Sequence, residues 1–439
     1  MKKSTKKVLS GVLALSIGAS LLAGCSNGDE KATNDNSKKP SDKPVQTAEL
    51  KPEQGAKLVL WDNGDSEGEF AKYVAKEFTK KYNVPVKVEK VNHTDSAAKI
   101  EAGGPTGKGA DVFDAAHDHV GNMEVAGSIF PNMSGDDYKN RFVDAAITGT
   151  SGKDGFYGFP LAVETYALYY NKDLVKEPAK TMEELFAQAK EFQKGSTSKN
   201  PKYGLMLEPG NFYFNYAFMG ANGGYVFGEN KDGGFDTKDL GLNSEGAIKS
   251  GEFMKKIHDE LLPLKKEDIN GDLISTMFNE GKLMYRISGP WDIKNHQDAK
   301  VNFGVTTLPA LENGKIPTSF SGIKAYYVSV YTKYPKAATL LAQFATSDEM
   351  LQKRYELTGQ LPPSKKLLES EAIKKDEILS GFAKQLEHSV PMPNIAEMQK
   401  VWGPMENAYS AIWNGLATPK ASLDSATKQI QDSIKAEKK

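Results

Sequence analysis

The sequence predicts an α/β protein with two domains, and three observations carry this prediction. Residues 57–61 form a short apolar segment typical of a buried strand. Apolar residues spaced four apart then occur at 70–82, which indicates one face of a helix, and residues 84–91 alternate like a second strand. This strand–helix–strand order is typical of parallel sheets with helical connections. A chain of 439 residues is long enough for two such domains.

The first 24 residues have the organisation of a secretory signal peptide. Four lysines within the first seven residues precede an uncharged apolar stretch at 8–22, and small residues lead to Cys25. The stretch is shorter than the roughly 20 residues that a membrane-spanning helix needs. Cys25 is the only cysteine, so the chain offers it no disulfide partner. The segment resembles a lipobox, which implies that Cys25 becomes the lipidated first residue of the mature chain.

Residues 25–55 are expected to connect this lipidated cysteine to the folded part of the protein. The segment is rich in Ser, Asn, Asp, Lys and Pro and lacks aromatic residues, so it cannot bury enough apolar surface to fold. Removing residues 1–24 removes four lysines and no acidic residue, which changes the net charge from −1 to −5. A mildly acidic protein of this kind offers no basic face for nucleic acid.

In the aromatic-rich segment 159–173, the residues up to Tyr170 are apolar or aromatic apart from Glu164 and Thr165, so Glu164 is the one carboxylate of this stretch. The segment is predicted to form one or two buried strands that end in the turn residues 171–173. An unpaired carboxylate is costly to bury, so Glu164 needs a partner or a special position. Two interpretations remain open: an ion pair or capped carboxylate in the core, or a carboxylate at the floor of a cleft.

Three further local predictions concern aromatic residues. Residues 205–216 are predicted to form an aromatic-rich loop. Apolar residues between 395 and 412 recur every three or four positions, and Gly403-Pro404 interrupts them, so a kink or a new helix is expected beside Trp402. Trp61, on the first predicted strand, is expected to lie in the core.

Motifs for metal, phosphate and nucleophilic chemistry are weak. The glycine-rich segment 103–109 lacks the spacing and the hydroxyl residue of a phosphate-binding loop. His117 and His119 have no further ligands at convincing spacing, and structural zinc takes four ligands. No nucleophile motif is present. The sequence therefore predicts neither a metal nor a cofactor.

Carboxylates at predicted strand ends and aromatic residues nearby suit a sugar ligand. A pyranose ring has an apolar face that packs on an aromatic ring and an edge of hydroxyl groups that needs fixed hydrogen-bond acceptors. Each aromatic residue taken alone is more often part of a core. The candidates are Asp65, Asp118, Glu164, Tyr213, Trp291 and Trp402.

The chain resembles the maltose/maltodextrin-binding family of extracellular solute-binding proteins of ABC importers. The resemblance extends over residues 57–435, and its most specific segments occur in the order found in the family. These segments are 61–65 (WDNGD), 116–118 (AHD), 162–164 (AVE), 170–173 (YNKD), 223–225 (GGY), 289–291 (GPW) and 392–395 (MPNI).

This resemblance implies that Asp65, Asp118 and Glu164 accept hydrogen bonds from sugar hydroxyls. It also implies that Tyr213, Trp291 and Trp402 stack on successive rings, and that Met392 lines the same groove. The chain departs from the family's best-known member at several positions of the site. Ser66 replaces a lysine, Ala115 and His119 replace a tryptophan and an arginine, Asn211 or Glu208 stands where a glutamate is expected, and Glu406 replaces an arginine.

The family pattern implies a two-lobe, type II periplasmic-binding-protein fold with mainly parallel sheets flanked by helices and a hinged cleft. The expected boundaries are 56–163 and 324–373 for the N-terminal lobe, and 164–323 and 374–439 for the C-terminal lobe. The chain would cross between lobes near 162–165, 321–325 and 372–378.

The expected function is extracytoplasmic binding of maltose and linear maltodextrins, with hinge closure and delivery to the permease subunits of an ABC transporter. The protein is expected to be a monomer without enzymatic activity, anchored through Cys25 on the outer face of a Gram-positive cell membrane. One alternative is another oligosaccharide, such as a cyclodextrin. A second is a secreted glycosidase, which needs two carboxylates about 5–10 Å apart. A third is ligand sensing for a membrane kinase.

Overall fold

The structure is a computed structural model in which residues 50–231 and 233–437 are described. The predicted signal peptide, Cys25 and the tether up to residue 49 lie outside the described residues. The strands are β1 Leu58–Asp62, β2 Val86–Lys90, β3 Val112–Ala116, β4 Phe159–Thr165, β5 Ala167–Asn171, β6 Tyr203–Met206, β7 Phe227–Glu229, β8 Phe235–Leu240, β9 Leu283–Ser288, β10 Phe303–Thr306, β11 Ser319–Val328 and β12 Ser389–Pro391.

Helices occur between many of the strands along the chain and continue to the end of the described residues. They are α1 Asp65–Tyr82, α2 His93–Gly103, α3 Val120–Val125, α4 Gly135–Arg141, α5 Asp144–Gly149, α6 Met182–Gln193, α7 Phe212–Ala221, α8 Glu245–Glu260, α9 Gly271–Asn279, α10 Ile293–Asp298, α11 Pro335–Ala345, α12 Asp348–Thr358, α13 Lys365–Leu368, α14 Glu371–Lys374, α15 Glu377–Leu386, α16 Trp402–Trp413 and α17 Pro419–Glu437. None of the helices in the described part of the chain is long and apolar enough to cross a membrane.

The first sheet has the strand order β12-β11-β3-β1-β2, and β4 pairs with β11. β1 runs parallel to β2 and β3, as the strand–helix–strand pattern of the sequence predicts. β11 returns antiparallel to both β3 and β4. The sheet therefore combines strands from the beginning of the chain with strands that lie more than 150 residues later.

The second sheet has the order β10-β5-β9-β6, and β7 and β8 form a separate hairpin. β5 is antiparallel to both of its neighbours, whereas β6 and β9 are parallel. The prediction of an α/β class is confirmed, but the prediction of mainly parallel sheets is wrong. The antiparallel neighbours in both sheets are strands that lie far apart in the chain, because β11 pairs with β3 and β4, and β5 pairs with β9 and β10.

The chain passes from the first sheet to the second at Tyr166, the single residue between β4 and β5. Tyr166 is fully buried, and its hydroxyl accepts a hydrogen bond from the amide of Phe320 at 3.2 Å. This passage lies beside the predicted crossing at 162–165. The second predicted crossing, at 321–325, falls within β11. The boundaries of the two lobes stay a prediction.

Local predictions for the aromatic residues have different outcomes. α16 begins at Trp402, so the expected new helix at that position is confirmed. Trp61 is buried, and its indole N–H donates to Glu89 at 2.9 Å, which confirms its place in a core. The prediction of a loop at 205–216 is wrong. β6 ends at Met206 and α7 begins at Phe212, because the Asn211 side chain caps the first turn by accepting from the amide of Tyr213.

Candidate functional site

A cavity of about 1360 Å³ lies among residues of the first sheet, residues that follow β6 and β9 of the second sheet, and residues of the C-terminal helical segment. All ten ligand-contact residues that the sequence suggested line this one cavity, although they span more than 330 positions of the chain. They are Asp65, Ser66, Asp118, His119, Glu164, Asn211, Tyr213, Trp291, Met392 and Trp402. Apolar and aromatic walls with a few converging polar groups are the usual composition of a small-molecule site.

Asp118 lies at the end of β3, in a short 3₁₀ segment, and one of its oxygens is held by two donors. Gln399 donates to Oδ2 of Asp118 at 3.0 Å and to its backbone carbonyl at 2.9 Å. The indole N–H of Trp402 donates to the same Oδ2 at 3.1 Å. Burial alone would raise the pKa of Asp118, but His119 and these two donors hold it below its ordinary value. Asp118 is therefore a fixed, charged acceptor on the cavity wall.

Glu164 lies on β4 and is buried, yet it also lines the cavity. The side-chain amide of Gln360 donates to Oε1 of Glu164 at 2.7 Å and also to Glu67. Burial raises the pKa of Glu164, while Lys324 opposes this effect. Within the described residues Glu164 has an amide partner and forms no ion pair, and it contributes a carboxylate to the cavity floor.

Asp65 begins α1, directly after β1, and is exposed to the cavity. Its backbone φ is +53°, in the left-handed region that aspartate tolerates better than most residues. Among the described residues its carboxylate has no hydrogen-bond or ion-pair partner, so it is available to a ligand. Ser66, which follows it, also lines the cavity.

The three aromatic side chains that the sequence suggested line the cavity and are held in place by packing against neighbouring rings. Tyr213, in the first turn of α7, stacks against Phe320 with ring centroids 6.2 Å apart and lies 6.4 Å from Trp291. Trp402 packs edge-to-face against Phe212 at 6.0 Å. Each of the three keeps part of its surface accessible, as a stacking platform requires.

Several cavity residues were not predicted as contacts from the sequence. Lys324 on β11 is buried and forms an ion pair with Glu67, and Gln399 fixes Asp118 as described above. Asp292 follows Trp291 and is held by Arg286 at 2.6 Å. Gln399 could have been suspected because it lies three residues before Trp402. Lys324 is flanked by strand residues without any motif, so only the fold shows its position.

His117, one of the two histidines considered as metal ligands, has a different role in the fold. Both ring nitrogens of His117 are used by backbone groups. Nε2 lies 3.1 Å from the carbonyl of Met392, and Nδ1 accepts from the amide of Ile323 at 3.0 Å. Burial lowers the pKa of His117, so the ring is neutral. His117 therefore joins β11 and the segment near Met392 to the end of β3.

A buried group of acidic residues lies beneath the cavity, with oxygens of Asp62, Glu67 and Asp114 within 4.8 Å of one another. Two buried cations accompany it, because Lys324 and Arg354 both form ion pairs with Glu67. Burial raises the pKa of Asp114 well above its ordinary value, which favours its neutral form. The charges balance without a metal ion, so this group is an internal ion-pair network.

Comparison with known proteins identifies the class of protein to which this chain belongs. The family model "Bacterial extracellular solute-binding protein" matches residues 73–381. The galactooligosaccharide-binding protein of Bacillus subtilis strain 168 is 35% identical over 389 residues, which are 87% of this chain and 90% of that protein. A maltooligosaccharide ABC transporter solute-binding lipoprotein of Streptococcus pneumoniae R6 is 32% identical over 366 residues, covering 82% and 85% of the two chains.

A crystal structure of a cyclo/maltodextrin-binding protein complexed with maltotetraose has the same fold. It shares 39% identity, covers 86% of this chain and 97% of its own, and superimposes with a TM-score of 0.72. These similarities define an ABC-type solute-binding protein with the two-lobe, type II fold, as the sequence predicted. The chain belongs to the family of bacterial extracellular solute-binding proteins.

Proposed function

We propose that this protein binds maltose and linear maltodextrins outside the cytoplasm and delivers them to the permease of an ABC importer. One observation carries the proposal: hydrogen-bond acceptors and accessible aromatic rings converge on a single cavity. Asp118 and Glu164 are held in place by neighbouring donors, and Asp65 is free to accept. Fixed acceptors beside apolar ring faces match the edge and the face of a pyranose.

Individual roles follow from chemistry and position. Asp65, Asp118 and Glu164 are proposed to accept from sugar hydroxyls, while Tyr213, Trp291 and Trp402 pack on ring faces. Ser66, His119, Asn211 and Met392 complete the wall. A cavity of about 1360 Å³ is larger than a monosaccharide needs, which favours an oligosaccharide.

Hinge closure is proposed to couple binding to delivery. We assign residues 56–163 and 324–373 to one lobe and residues 164–323 and 374–439 to the other, with the hinge at 162–165, 321–325 and 372–378. A ligand that contacts both lobes stabilises the closed form and shifts the equilibrium toward it. The permease would then recognise the closed form.

The protein is proposed to act as a monomer on the outer face of the cell membrane of a Gram-positive bacterium, anchored through a lipid on Cys25. The Streptococcus pneumoniae relative is called a lipoprotein of an ABC transporter, which supports this location. Growth with labelled palmitate tests the anchor, because a Cys25→Ser variant should lose both the label and the membrane association.

We propose that the protein is not an enzyme. The matched family is one of solute-binding proteins. Release of shorter sugars from maltoheptaose by the purified protein would contradict this.

Galacto-oligosaccharides are the second candidate ligands. The Bacillus subtilis relative that is 35% identical over 389 residues is named for binding them. Both sugars would use the same acceptors and rings, so the discrimination rests on the orientation of the C4 hydroxyl and on the linkages between the sugar residues.

Tryptophan fluorescence tests these candidates together. The protein is titrated with glucose, maltose, maltotriose, longer maltodextrins, a cyclodextrin and galacto-oligosaccharides. A saturable signal with maltose and longer chains is expected, absent with glucose and lost in Trp291→Ala. The control is Trp61→Phe, since Trp61 is buried away from the cavity. A signal only with galacto-oligosaccharides or with the cyclodextrin would replace the maltodextrin proposal.

A further inference from the structure

The charges that line the cavity are unequal. Its carboxylates are Asp65, Glu67, Glu69, Asp95, Asp118, Glu164, Glu208, Asp292, Asp298 and Glu406, and its lysines are Lys90, Lys294 and Lys324. Most of the excess is not neutralised by neighbours within the described residues. Lys294 pairs with Asp298 and Lys324 with Glu67, which leaves Lys90 as the one lining lysine without a carboxylate partner in the described part of the chain.

Five of the lining carboxylates have no ion-pair partner among residues 50–231 and 233–437: Asp65, Asp118, Glu164, Glu208 and Glu406. The remaining five are paired with a lysine or an arginine. Three of the unpaired ones are the proposed acceptors for sugar hydroxyls. Glu208 and Glu406 are additional to these three acceptors.

Glu208 and Glu406 line the cavity from different elements. Glu208 precedes α7 and its carbonyl accepts from the amide of Asn211 at 3.1 Å, whereas Glu406 lies one turn after Trp402 in α16. Burial raises the pKa of Glu208. Burial and the nearby Glu208 raise the pKa of Glu406, although Lys266 acts in the opposite direction. Both carboxyls line the cavity, and neither forms an ion pair with Lys266 within the described residues.

We propose that the cavity rejects anionic saccharides, and that Glu208 and Glu406 are specificity-determining residues that act on the charge of the ligand. The inference rests on the proposed function, in that it takes the ligand to be an oligosaccharide. An anionic group placed near unpaired carboxylates meets a repulsion that strengthens as the site excludes water. A neutral hydroxyl meets no such cost, because it can donate to the same carboxylates. Repulsion between a ligand's negative charge and the lining carboxylates can discriminate between ligands that have almost the same shape.

The test compares ligands that differ in charge while their shapes stay similar. Maltotriitol has a reduced, uncharged end, and maltotrionate has the same open chain ending in a carboxylate. A second anionic ligand carries a glucuronic acid at the other end of the trisaccharide, with maltotriose as its neutral counterpart. Affinities are measured by calorimetry at low and at high salt.

The protein is expected to bind each anionic ligand about tenfold or more weakly than its neutral counterpart at low salt. Added salt should narrow the difference, because it screens the repulsion. The Glu208→Gln/Glu406→Gln double variant should also narrow the difference in affinity, for the ligand whose charge lies near Glu208 and Glu406. The control is Glu252→Gln/Glu349→Gln, which removes two exposed charges that do not line the cavity and should leave the ratio unchanged.

Two results would overturn the inference. The first is equal affinity for neutral and anionic ligands. The second is that Glu208→Gln/Glu406→Gln and its control change the ratio of neutral to anionic affinity by the same factor. Failure of the proposed function is a separate result, because it would appear as absent binding of maltotriose itself. In that event the same comparison is made with the reduced and the oxidised form of the galacto-oligosaccharide that binds.

Discussion

At the scale of the residue, Asp118 shows how a conspicuous motif residue depends on distant partners. Its Oδ2 accepts from Gln399 and from Trp402, both of which lie more than 280 positions later in the chain. One oxygen is thereby occupied, and the carboxylate is oriented before any ligand arrives. Preorganised groups of this kind bind more tightly, because less freedom is lost on association.

Replacing Trp402 separates its two contributions. Trp402→Phe keeps an apolar ring but removes the N–H that donates to Asp118 at 3.1 Å, and a loss of about 1 kcal/mol in sugar affinity is expected. Trp402→Ala also removes the ring, so a loss of about 2 kcal/mol or more is expected. Calorimetric titration with maltotriose measures both values.

Trp413 provides the control for that comparison. It also donates its indole N–H, to the carbonyl of Leu264 at 2.8 Å, but it does not line the cavity. Trp413→Phe should therefore change stability and leave affinity unchanged. Equal affinities of Trp402→Phe and Trp402→Ala would show that the ring makes no contact with the sugar.

At the scale of the element, α7 places Tyr213 in the cavity through its first turn. Asn211 accepts from the amide of Tyr213 at 3.1 Å and so fixes where the helix begins. The helix is buried along most of its length, including Phe212 and Phe214. An aromatic side chain at the first turn of a capped, buried helix has little freedom to move, which suits a stacking platform.

Removing this cap is expected to lower both stability and affinity. Asn211→Ala should decrease the free energy of unfolding by about 1 kcal/mol, as other N-cap replacements do, whereas Asn211→Asp should keep the cap. Urea denaturation measures the first effect and maltotriose titration the second. Affinity should fall because Tyr213 loses its fixed position.

Ser347 is a matched cap at a helix outside the cavity. It accepts from the amide of Met350 at the start of α12. Ser347→Ala should cost a similar amount of stability and leave sugar affinity unchanged. If Asn211→Ala destabilises the fold to the same extent without any loss of affinity, then Tyr213 is not a ligand contact.

At the scale of the whole molecule, a buried ion-pair network connects elements that the sequence places far apart. Glu67 on α1 is paired with Lys324 on β11 and with Arg354 on α12, and Gln360 connects it to Glu164 on β4. Glu67, Lys324 and Glu164 of this network also line the cavity. The network therefore joins the parts of the chain that hold the acceptors.

Breaking this network should destabilise the whole fold. Glu67→Gln leaves Lys324 and Arg354 without their carboxylate partner, and removing one member of a buried pair costs about 3–5 kcal/mol. Glu69→Gln on the same helix is the control, because its pair with Lys72 is exposed and should contribute less than about 1 kcal/mol. Urea denaturation of both variants measures the difference.

The pH dependence of this effect has a defined sign. Lys324 and Arg354 hold the pKa of Glu67 far below its ordinary value despite burial, so its contribution is present above the unfolded pKa near 4.3 and is lost as the pH falls further. The difference in unfolding free energy between the native protein and Glu67→Gln should therefore shrink below about pH 4. A difference that stays constant down to pH values where the native protein unfolds would contradict this.

Asp62 has the opposite effect on the pH dependence of stability. The prediction therefore concerns the difference in unfolding free energy between the native protein and the variant, and not the unfolding free energy of the native protein alone. Burial raises the pKa of Asp62 to about 6, while Arg354 opposes this. A carboxyl with a raised folded pKa takes up a proton more readily in the folded state, so it adds stability as the pH falls from 6 toward 4.

Much of the candidate site could be predicted from the sequence, since all ten suggested residues line the cavity. Asp65 and Asp118 follow strands, and aromatic residues close to turns are visible as sequence patterns. Lys324, Gln360 and Gln399 could not be predicted in their roles. Their partners are Glu67, Glu164 and Asp118, which lie 257, 196 and 281 positions away.

The sequence by itself determined the α/β class, the new helix at Trp402, the burial of Trp61 and the family. These depend on periodicity, turn residues and motifs, which act over a few positions. The tertiary structure alone decided three things: that the sheets are mixed, that residues 212–216 belong to a helix, and that the lining carboxylates outnumber their cationic partners. Strand pairing and ion pairing join residues hundreds of positions apart, and local sequence preferences do not encode such distances.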